Sequence, residues 1–457
     1  MNCVRITPSM LKGSVKVPPS KSLAHRAIIC ASLSNGVSVI NNVDMSKDIT
    51  ATIECMRILG AVIEVDGNRV RINGANALKI SKASSRKITL DCNESGSTIR
   101  FLIPIALMTG CEVTFTGHGK LPKRPLDVYY DIFKLQNIAY TTSADGFLPM
   151  TALGLLKSGV FYVPGNISSQ FITGLLFTLP ILDGNSEIII NNNLESKGYI
   201  DLTLDILAKF GIKIVNNDYK SFSINGNQRY VATDYTVESD YSQACFWLAA
   251  NMIGSDVRCE GLSPTSLQGD KEILNIIEIL KIAWVNAEII TSETEAHTSE
   301  AVTSESETRT SEAEPHTSES VISEPIRIDA SQIPDMVPVL AVIASLGKGT
   351  VHIVNASRLR IKECNRLAAI VVELSKIGAD IEENGDGLII NGKPMLDGGE
   401  TDSWNDHRIC MAIAIAATRC KNAVTITNSG CVDKSYADFW SDYKELGGNI
   451  HEWSLGQ

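Results

Sequence analysis

The sequence has no Cys-x-x-Cys pair and no cysteine–histidine cluster at zinc-ligand spacing, although 11 cysteines run from Cys3 to Cys431. That excludes the common structural zinc sites, and an odd count suits no closed disulfide framework. Many of the thiols lie in apolar runs, Cys245 beside "FWLAA" for example, and read as buried, reduced groups of a cytosolic protein. Positive charge is also short: 41 Lys and Arg stand against 52 Asp and Glu, a net charge of −11. A general nucleic-acid or acidic-membrane binder would be basic overall. The opening "MNCVRITPSMLKG" has no apolar signal-peptide core, and no run approaches the ~20 apolar residues of a membrane span. No Walker loop, GxGxxG turn or Ser-His-Asp elbow is found.

What is present is ordinary globular material, 44% hydrophobic over 457 residues, enough for about two to four domains. One segment differs. In "TSETEAHTSEAVTSESETRTSEAEPHTSES", 291–320, the triplet Thr-Ser-Glu recurs five times. It is acidic and almost free of large apolar residues, so it cannot bury enough surface to offset its ordering entropy. It reads as a flexible surface insertion, about 288–325.

The rest of the chain repeats itself. Six segments share a polar start, an apolar helix-like run, a small or polar turn and a β-rich stretch. They are "SKSLAHRAIICASLSNGVSVINN" from 20, "SGSTIRFLIPIALMTGCEVTFTG" from 95 and "SSQFITGLLFTLPILDGNSEIIINN" from 168, then "DYSQACFWLAANMIGSDVRCEG" from 240, "IPDMVPVLAVIASLGKGTVHIVN" from 333 and "DHRICMAIAIAATRCKNAVTITN" from 406. An amphipathic helix running into a strand follows, as in "DITATIECMRILGAVIEV". The starts are about 72–75 residues apart, except the step from 240 to 333, which holds the Thr-Ser-Glu segment. Units of this size suit two three-unit domains better than a thin solenoid. Their first helices are apolar nearly all round and belong inside, with sheets and amphipathic helices outside. If these buried helices run parallel, their N-termini make one positive region suited to anions.

The residues that open the units carry the chemistry. "VPPSKSLAHRA", 17–27, brings Ser20, Lys21, Ser22, His25 and Arg26 to a helix start. Unit two opens with Ser95, Gly96, Ser97, Thr98 and Arg100, followed by Lys120, Lys123 and Arg124. Unit three opens with Ser168, Ser169 and Gln170. Unit five opens with Asp335 and leads to Arg358, Arg360, Lys362, Glu363 and Arg366. Unit six opens with Asp406, His407 and Arg408, and Lys434 follows. Small hydroxyl residues and glycine let backbone N–H groups approach phosphate oxygens, and arginine forks grip carboxylates and phosphates. The pattern predicts one or two small polyanionic ligands. Asp335 and Glu363 sit among these cations, where a carboxylate either closes a salt bridge or moves protons; group transfer to an alcohol needs both a base and an acid.

These motifs resemble the enolpyruvyl transferase family, specifically its 5-enolpyruvylshikimate-3-phosphate synthases. "PPSKSLAHRA", "SGSTIRFL", "KRPLD", "GNISSQFITG", "ESKGYIDLTL", "SQIPDMVPVLA", "LRIKECNRLA", "NDHRICMA" and "DKSYADF" stand in the family's order over nearly the whole chain. The resemblance implies an α/β (α+β) fold, a two-domain inside-out α/β barrel of six βαβαββ repeats, three per domain, with buried parallel helices. It puts 20–239 in one domain and 1–19 plus 240–457 in the other, with the active site in the cleft between them. It also implies transfer of the enolpyruvyl group of phosphoenolpyruvate to the 5-hydroxyl of shikimate 3-phosphate through a tetrahedral intermediate, with release of phosphate and without metal or cofactor. Lys21, Gly96, Arg124, Gln170, Arg366, Arg408 and Lys434 would serve phosphoenolpyruvate. Ser22, Arg26, Ser168, Ser169, Gln170, Ser196, Tyr199 and Lys362, with Lys21 and Asp335, would hold shikimate 3-phosphate. Asp335 would take the hydroxyl proton; Glu363, with Lys21, would move the proton at the methylene carbon. A cytoplasmic monomer is expected, with no nucleic-acid or membrane partner.

Several positions depart from the family pattern: Ala24, Glu94, Ser97, Phe101, Arg358 and Cys364-Asn365. They bear on phosphoenolpyruvate affinity and on inhibition by its mimic glyphosate. The rival reading is the sister family that moves enolpyruvate onto UDP-N-acetylglucosamine. That family carries a cysteine in the loop before its Arg-Pro, where "GHGKLPKRP" has Gly119. A catalytically dead relative kept as a binding or scaffold protein is the other alternative. Retention of Lys21, Asp335, Glu363, Arg366 and Arg408 together argues against it.

Overall fold

The computed structural model describes residues 2–78, 87–285 and 325–454. The Thr-Ser-Glu segment, and with it the expectation of a flexible insertion, lies outside the described residues.

The repeat is visible as one wiring used again and again. Strand Lys87–Asp91 pairs in parallel with Glu112–Thr116 across the helix Gly96–Ala106. Glu112–Thr116 then pairs antiparallel with Met150–Leu153, which forms a hairpin with Ala139–Thr142. The helix Asp127–Gln136 joins the two halves, which completes a βαβαββ unit. Among the described residues five four-stranded sheets follow this order. In two of them the chain supplies a strand from a distant position. Tyr235–Thr236 borders Val37–Asn41, and Asn2–Thr7 fills the sheet of Val424–Thr427. The remaining unit shows two strands, Lys12–Lys16 and Asp256–Glu260, paired in parallel.

The apolar helices are inside. All nine residues of Val337–Ser345 and all eleven of His407–Ala417 are buried. Helices Lys21–Leu33, Ser169–Thr178 and Tyr241–Met252 are buried over most of their length. The helices that follow them are one-sided: Lys47–Ile58 buries Ile49, Ala51, Thr52, Ile53, Cys55 and Met56 and leaves Lys47, Thr50, Glu54 and Ile58, at 3–4 spacing, exposed. Side chains gather into two separate cores. One runs from Leu23 to Val237; the other combines Val4, Ile6, Leu11 and Val15 with residues from Cys245 onward. The chain passes between them twice, side by side. Ser20 N donates to Glu238 O at 2.8 Å, and Asp240 N to Pro18 O at 2.9 Å. None of the 11 cysteines forms a disulfide, and all but Cys259 are buried.

Candidate active site

Six helix starts, three from each core, face one cleft. Lys21 and Ser22 come from the first inner helix, Gly96 and Ser97 from the second, and Ser169 and Gln170 from the third. Ser242 and Gln243, then Asp335, then His407 and Arg408 come from the other three. Capping side chains fix four of these starts. Ser95 accepts from Thr98 N at 3.1 Å, Ser168 from Gln170 N at 3.3 Å, Asp240 from Ser242 N at 2.7 Å and Asp406 from Arg408 N at 2.9 Å. The remaining N–H groups and helix dipoles give the cleft a positive potential before any side-chain charge is counted.

Arginines and lysines add to it. Arg366 is the hub: Nη1 lies 2.8 Å from Asp335 Oδ1, Nη2 2.7 Å from Glu363 Oε2 and Nε 2.7 Å from Asp406 Oδ2. Lys362 Nζ stands 3.3 Å from Asp335 Oδ1, and the Tyr199 hydroxyl donates to Oδ2 at 3.1 Å. Arg408 donates to the Asp335 carbonyl at 3.0 Å. Arg124 lies 3.6 Å from Glu363 and against Gly96; a Cβ at Gly96 would come within 2.6 Å of its guanidinium. Glycine there lets the guanidinium reach the helix start. Arg26 donates to Thr203, the Ser22 carbonyl and the Tyr199 carbonyl at 2.7–3.0 Å, with Phe101 beneath it. Ser196 adopts a left-handed backbone, φ 57°, and its hydroxyl accepts from Arg358 at 2.6 Å.

These contacts set protonation. Burial alone would raise the Asp335 carboxyl, but Lys362, Arg408 and Arg366 hold it well below the usual carboxylate range. Glu363 behaves alike: burial opposes, while Arg366 and Arg124 keep it ionised. Burial lowers Lys362, with Asp335 opposing. Burial and the cations Lys21, Arg408 and Arg366 keep His407 neutral. Two ionised carboxylates among cations can accept protons from a bound alcohol or return them to a carbon. Among the described residues no group of His, Cys, Asp and Glu is arranged to hold a metal ion.

Of the residues expected from sequence, Lys21, Ser22, Arg26, Gly96, Arg124, Ser168, Ser169, Gln170, Ser196, Tyr199, Asp335, Lys362, Glu363, Arg366 and Arg408 all line the cleft. Lys434 does not. Its ammonium pairs with Glu94 at 2.8 Å and donates to Asn405 O at 2.9 Å. His25 also stays out: Nδ1 bonds Thr52 Oγ1 at 2.8 Å in the core, and burial drops its pKa to about 3. Arg100 and His407, named among the unit openings but given no ligand, line the cleft too, as do Asp48, Asp240, Ser242 and Gln243, which the site expectations did not include. Asp48 pairs with Lys21 at 2.9 Å, and Arg100 donates to Gln170 at 2.9 Å. Asp240 and Ser242 open unit four, so the rule that singled out the other helix starts applies to them. Gly119, where the sister family has cysteine, has φ 57° and lies against the Glu94 carboxylate.

Residues 6–443 match the family model described as EPSP synthase (3-phosphoshikimate 1-carboxyvinyltransferase). Relatives named 3-phosphoshikimate 1-carboxyvinyltransferase include one from Clostridium acetobutylicum, 51% identical over 460 residues and covering 100% of both chains. Another, from Clostridium perfringens, is 52% identical over 455 residues, 99% of this chain and 100% of its own. A solved EPSP synthase from Acinetobacter baumannii superimposes with a TM-score of 0.76 at 23% identity, over 99% of this chain and 100% of that one. At that identity the likeness speaks to the fold: the chain has the two-domain architecture of the enolpyruvyl transferases.

Proposed function

The chain belongs to the EPSP synthase family of 3-phosphoshikimate 1-carboxyvinyltransferases, and on that premise we propose how its cleft divides the work. It is a transferase: the enolpyruvyl group of phosphoenolpyruvate passes to the 5-hydroxyl of shikimate 3-phosphate, and phosphate leaves. One observation carries the division of roles. A single buried arginine, Arg366, holds two ionised carboxylates, Asp335 and Glu363, where the six helix starts meet.

Ser22, Arg26, Ser168, Ser169, Gln170, Ser196, Tyr199 and Lys362 bind shikimate 3-phosphate. Arg124, Arg366, Arg408, Gln170 and Lys434 bind phosphoenolpyruvate beside Gly96, with Lys21 between the two. Asp335 takes the 5-hydroxyl proton as that oxygen attacks C2 of phosphoenolpyruvate. C3 gains a proton from Glu363, assisted by Lys21, which gives a tetrahedral intermediate. Loss of that proton from C3 then expels phosphate. Glu363 is ionised in the free cleft by Arg366 and Arg124. An arriving phosphoenolpyruvate shares those cations, so the Glu363 pKa rises and the carboxyl becomes able to donate. The cations offset the charge of two anions brought together, and closure excludes water.

Residues 20–239 form one closing domain and 1–19 with 240–457 the other; the two separate cores support this division. A cytoplasmic location fits the buried thiols; the expected monomer is tested by light scattering, which reads the mass directly. Among the described residues no helix is long and apolar enough to cross a membrane. The activity test mixes purified protein with both substrates and follows phosphate release; folded protein with no release above background sinks the reading. Asp335→Ala is expected to reduce turnover at least a thousandfold while anion binding survives.

A further inference from the structure

Glu94 immediately precedes Ser95, the cap of the helix Gly96–Ala106, on the side of the first core. Lys434 ends the short helix Ser429–Lys434, on the side of the second. Between these two sides Glu94 Oε2 lies 2.8 Å from Lys434 Nζ, with the side chains 30% and 12% exposed. Gly119 makes room for the carboxylate: its φ is 57°, and a Cβ there would come within 2.6 Å of Glu94. Lys434 is therefore held away from the cleft, while Arg124 and Arg366 face it.

A carboxylate on an ammonium is chemically what phosphoenolpyruvate would offer the same lysine. We propose that Glu94 is an internal competitor for Lys434: it occupies this cation while phosphoenolpyruvate is absent, and thereby sets the affinity and selectivity of the site for small phosphorylated or carboxylated anions. This rests on the reading of Lys434 as a phosphoenolpyruvate contact. Binding exchanges one ion pair for another, so the gain is smaller than a free lysine would give.

The test compares steady-state kinetics of the full-length enzyme with Glu94→Gln, Glu94→Asp and Lys434→Gln. Glu94→Gln is expected to lower KM for phosphoenolpyruvate about two- to fivefold, the worth of a partly exposed pair. The kcat and the KM for shikimate 3-phosphate stay within about twofold. Glu94→Asp, which keeps the charge, stays near the parent KM. Placed on Lys434→Gln, the Glu94→Gln change should have no further effect on that KM. An unchanged or raised KM in Glu94→Gln, with Lys434→Gln raised, overturns the proposal and leaves the site reading standing. An unchanged KM in Lys434→Gln removes Lys434 from the site and the proposal with it. Should Glu94→Gln misfold by circular dichroism, Glu94→Asn is judged by the same KM criterion.

Discussion

Asp406 holds Arg366 from behind, accepting from Nε at 2.7 Å and from Nη2 at 3.3 Å, and both side chains are almost fully buried. The same carboxylate caps the helix His407–Ala417 by accepting from Arg408 N. It thus fixes two arginines at once and leaves Nη1 and Nη2 of Arg366 aimed at Asp335 and Glu363. Asp406→Ala removes the cap and one of three counter-ions of a buried cation. A loss of about 3 kcal/mol in unfolding free energy is expected, with a large rise in KM for phosphoenolpyruvate. Asp406→Asn keeps an acceptor for the cap and should lose clearly less. Urea unfolding monitored by circular dichroism, with kinetics on the folded fraction, checks both; equal stability of parent and Asp406→Ala refutes the account.

Proton uptake should accompany phosphoenolpyruvate binding. Glu363 sits well below its ordinary range because Arg366 and Arg124 neutralise it against the cost of burial. A ligand anion that shares those arginines raises the bound-state pKa. Binding then takes up a fraction of one proton near neutrality, and affinity strengthens as pH falls. Calorimetry at pH 7 in two buffers of different ionisation enthalpy counts the protons. The titration uses Asp335→Asn enzyme saturated with shikimate 3-phosphate, so that turnover adds no heat. A second Glu363→Gln change should abolish the difference beyond what phosphoenolpyruvate itself contributes. Equal uptake in both proteins rules the mechanism out.

The parts legible in the sequence were the periodic ones. A polar start, an apolar run and a β-rich stretch recur because each unit buries one helix under one sheet, and the constraint repeats with it. The helix starts were legible for the same reason, and Lys21, Gly96, Ser169, Asp335 and Arg408 face the cleft. Pairings between units are not periodic. Nothing in "SKDITATIE" announces that Asp48 meets Lys21, and nothing near "DKSYADF" that Glu94, 340 residues away, holds Lys434. Such partners depend on how units dock, which local spacing does not encode. Asp240 was legible in principle, since it opens the fourth unit as Asp406 opens the sixth.

His25 links the first helix to the second through hydroxyls. Its Nδ1 meets Thr52 Oγ1 at 2.8 Å, Thr52 meets Thr98 Oγ1 at 2.7 Å, and Thr98 donates to the capping oxygen of Ser95 at 2.7 Å. The ring packs edge-on to Phe101, 6.3 Å between centroids, and burial keeps it neutral, with a pKa of about 3. Its task is to brace the start of Gly96–Ala106 without touching ligand. His25→Ala should cost about 2 to 4 kcal/mol of stability through the lost ring and the orphaned hydroxyl. KM for phosphoenolpyruvate is expected to rise more than KM for shikimate 3-phosphate, because Gly96 lies on the braced helix. His25→Asn, whose amide N–H restores a donor to Thr52, should recover part of the KM but little of the stability. Kinetics and thermal melts of the two variants separate bracing from packing; identical KM values in parent and His25→Ala exclude the brace.

Asp240 stands where the chain recrosses between the cores, accepting from Ser242 N at 2.7 Å and Lys21 N at 3.2 Å. Burial first, then the neighbouring Asp270, raises its pKa to about 6, against an ordinary aspartate near 4. Between those values the folded protein keeps a proton that the unfolded chain has lost. Stability contributed by Asp240 is therefore full below about pH 4 and is lost as pH rises through about 6. Two pKa units amount to about 2 to 3 kcal/mol. Asp240→Asn retains an acceptor for Ser242 N and cannot titrate. Its loss of the Lys21 contact adds an offset that does not vary with pH. The difference in unfolding free energy, variant minus parent, should climb by about 2 to 3 kcal/mol from pH 4 to pH 7 and then level. Denaturant titrations at half-unit pH steps trace that curve, and a flat one means that Asp240 is already ionised in the folded protein at pH 4.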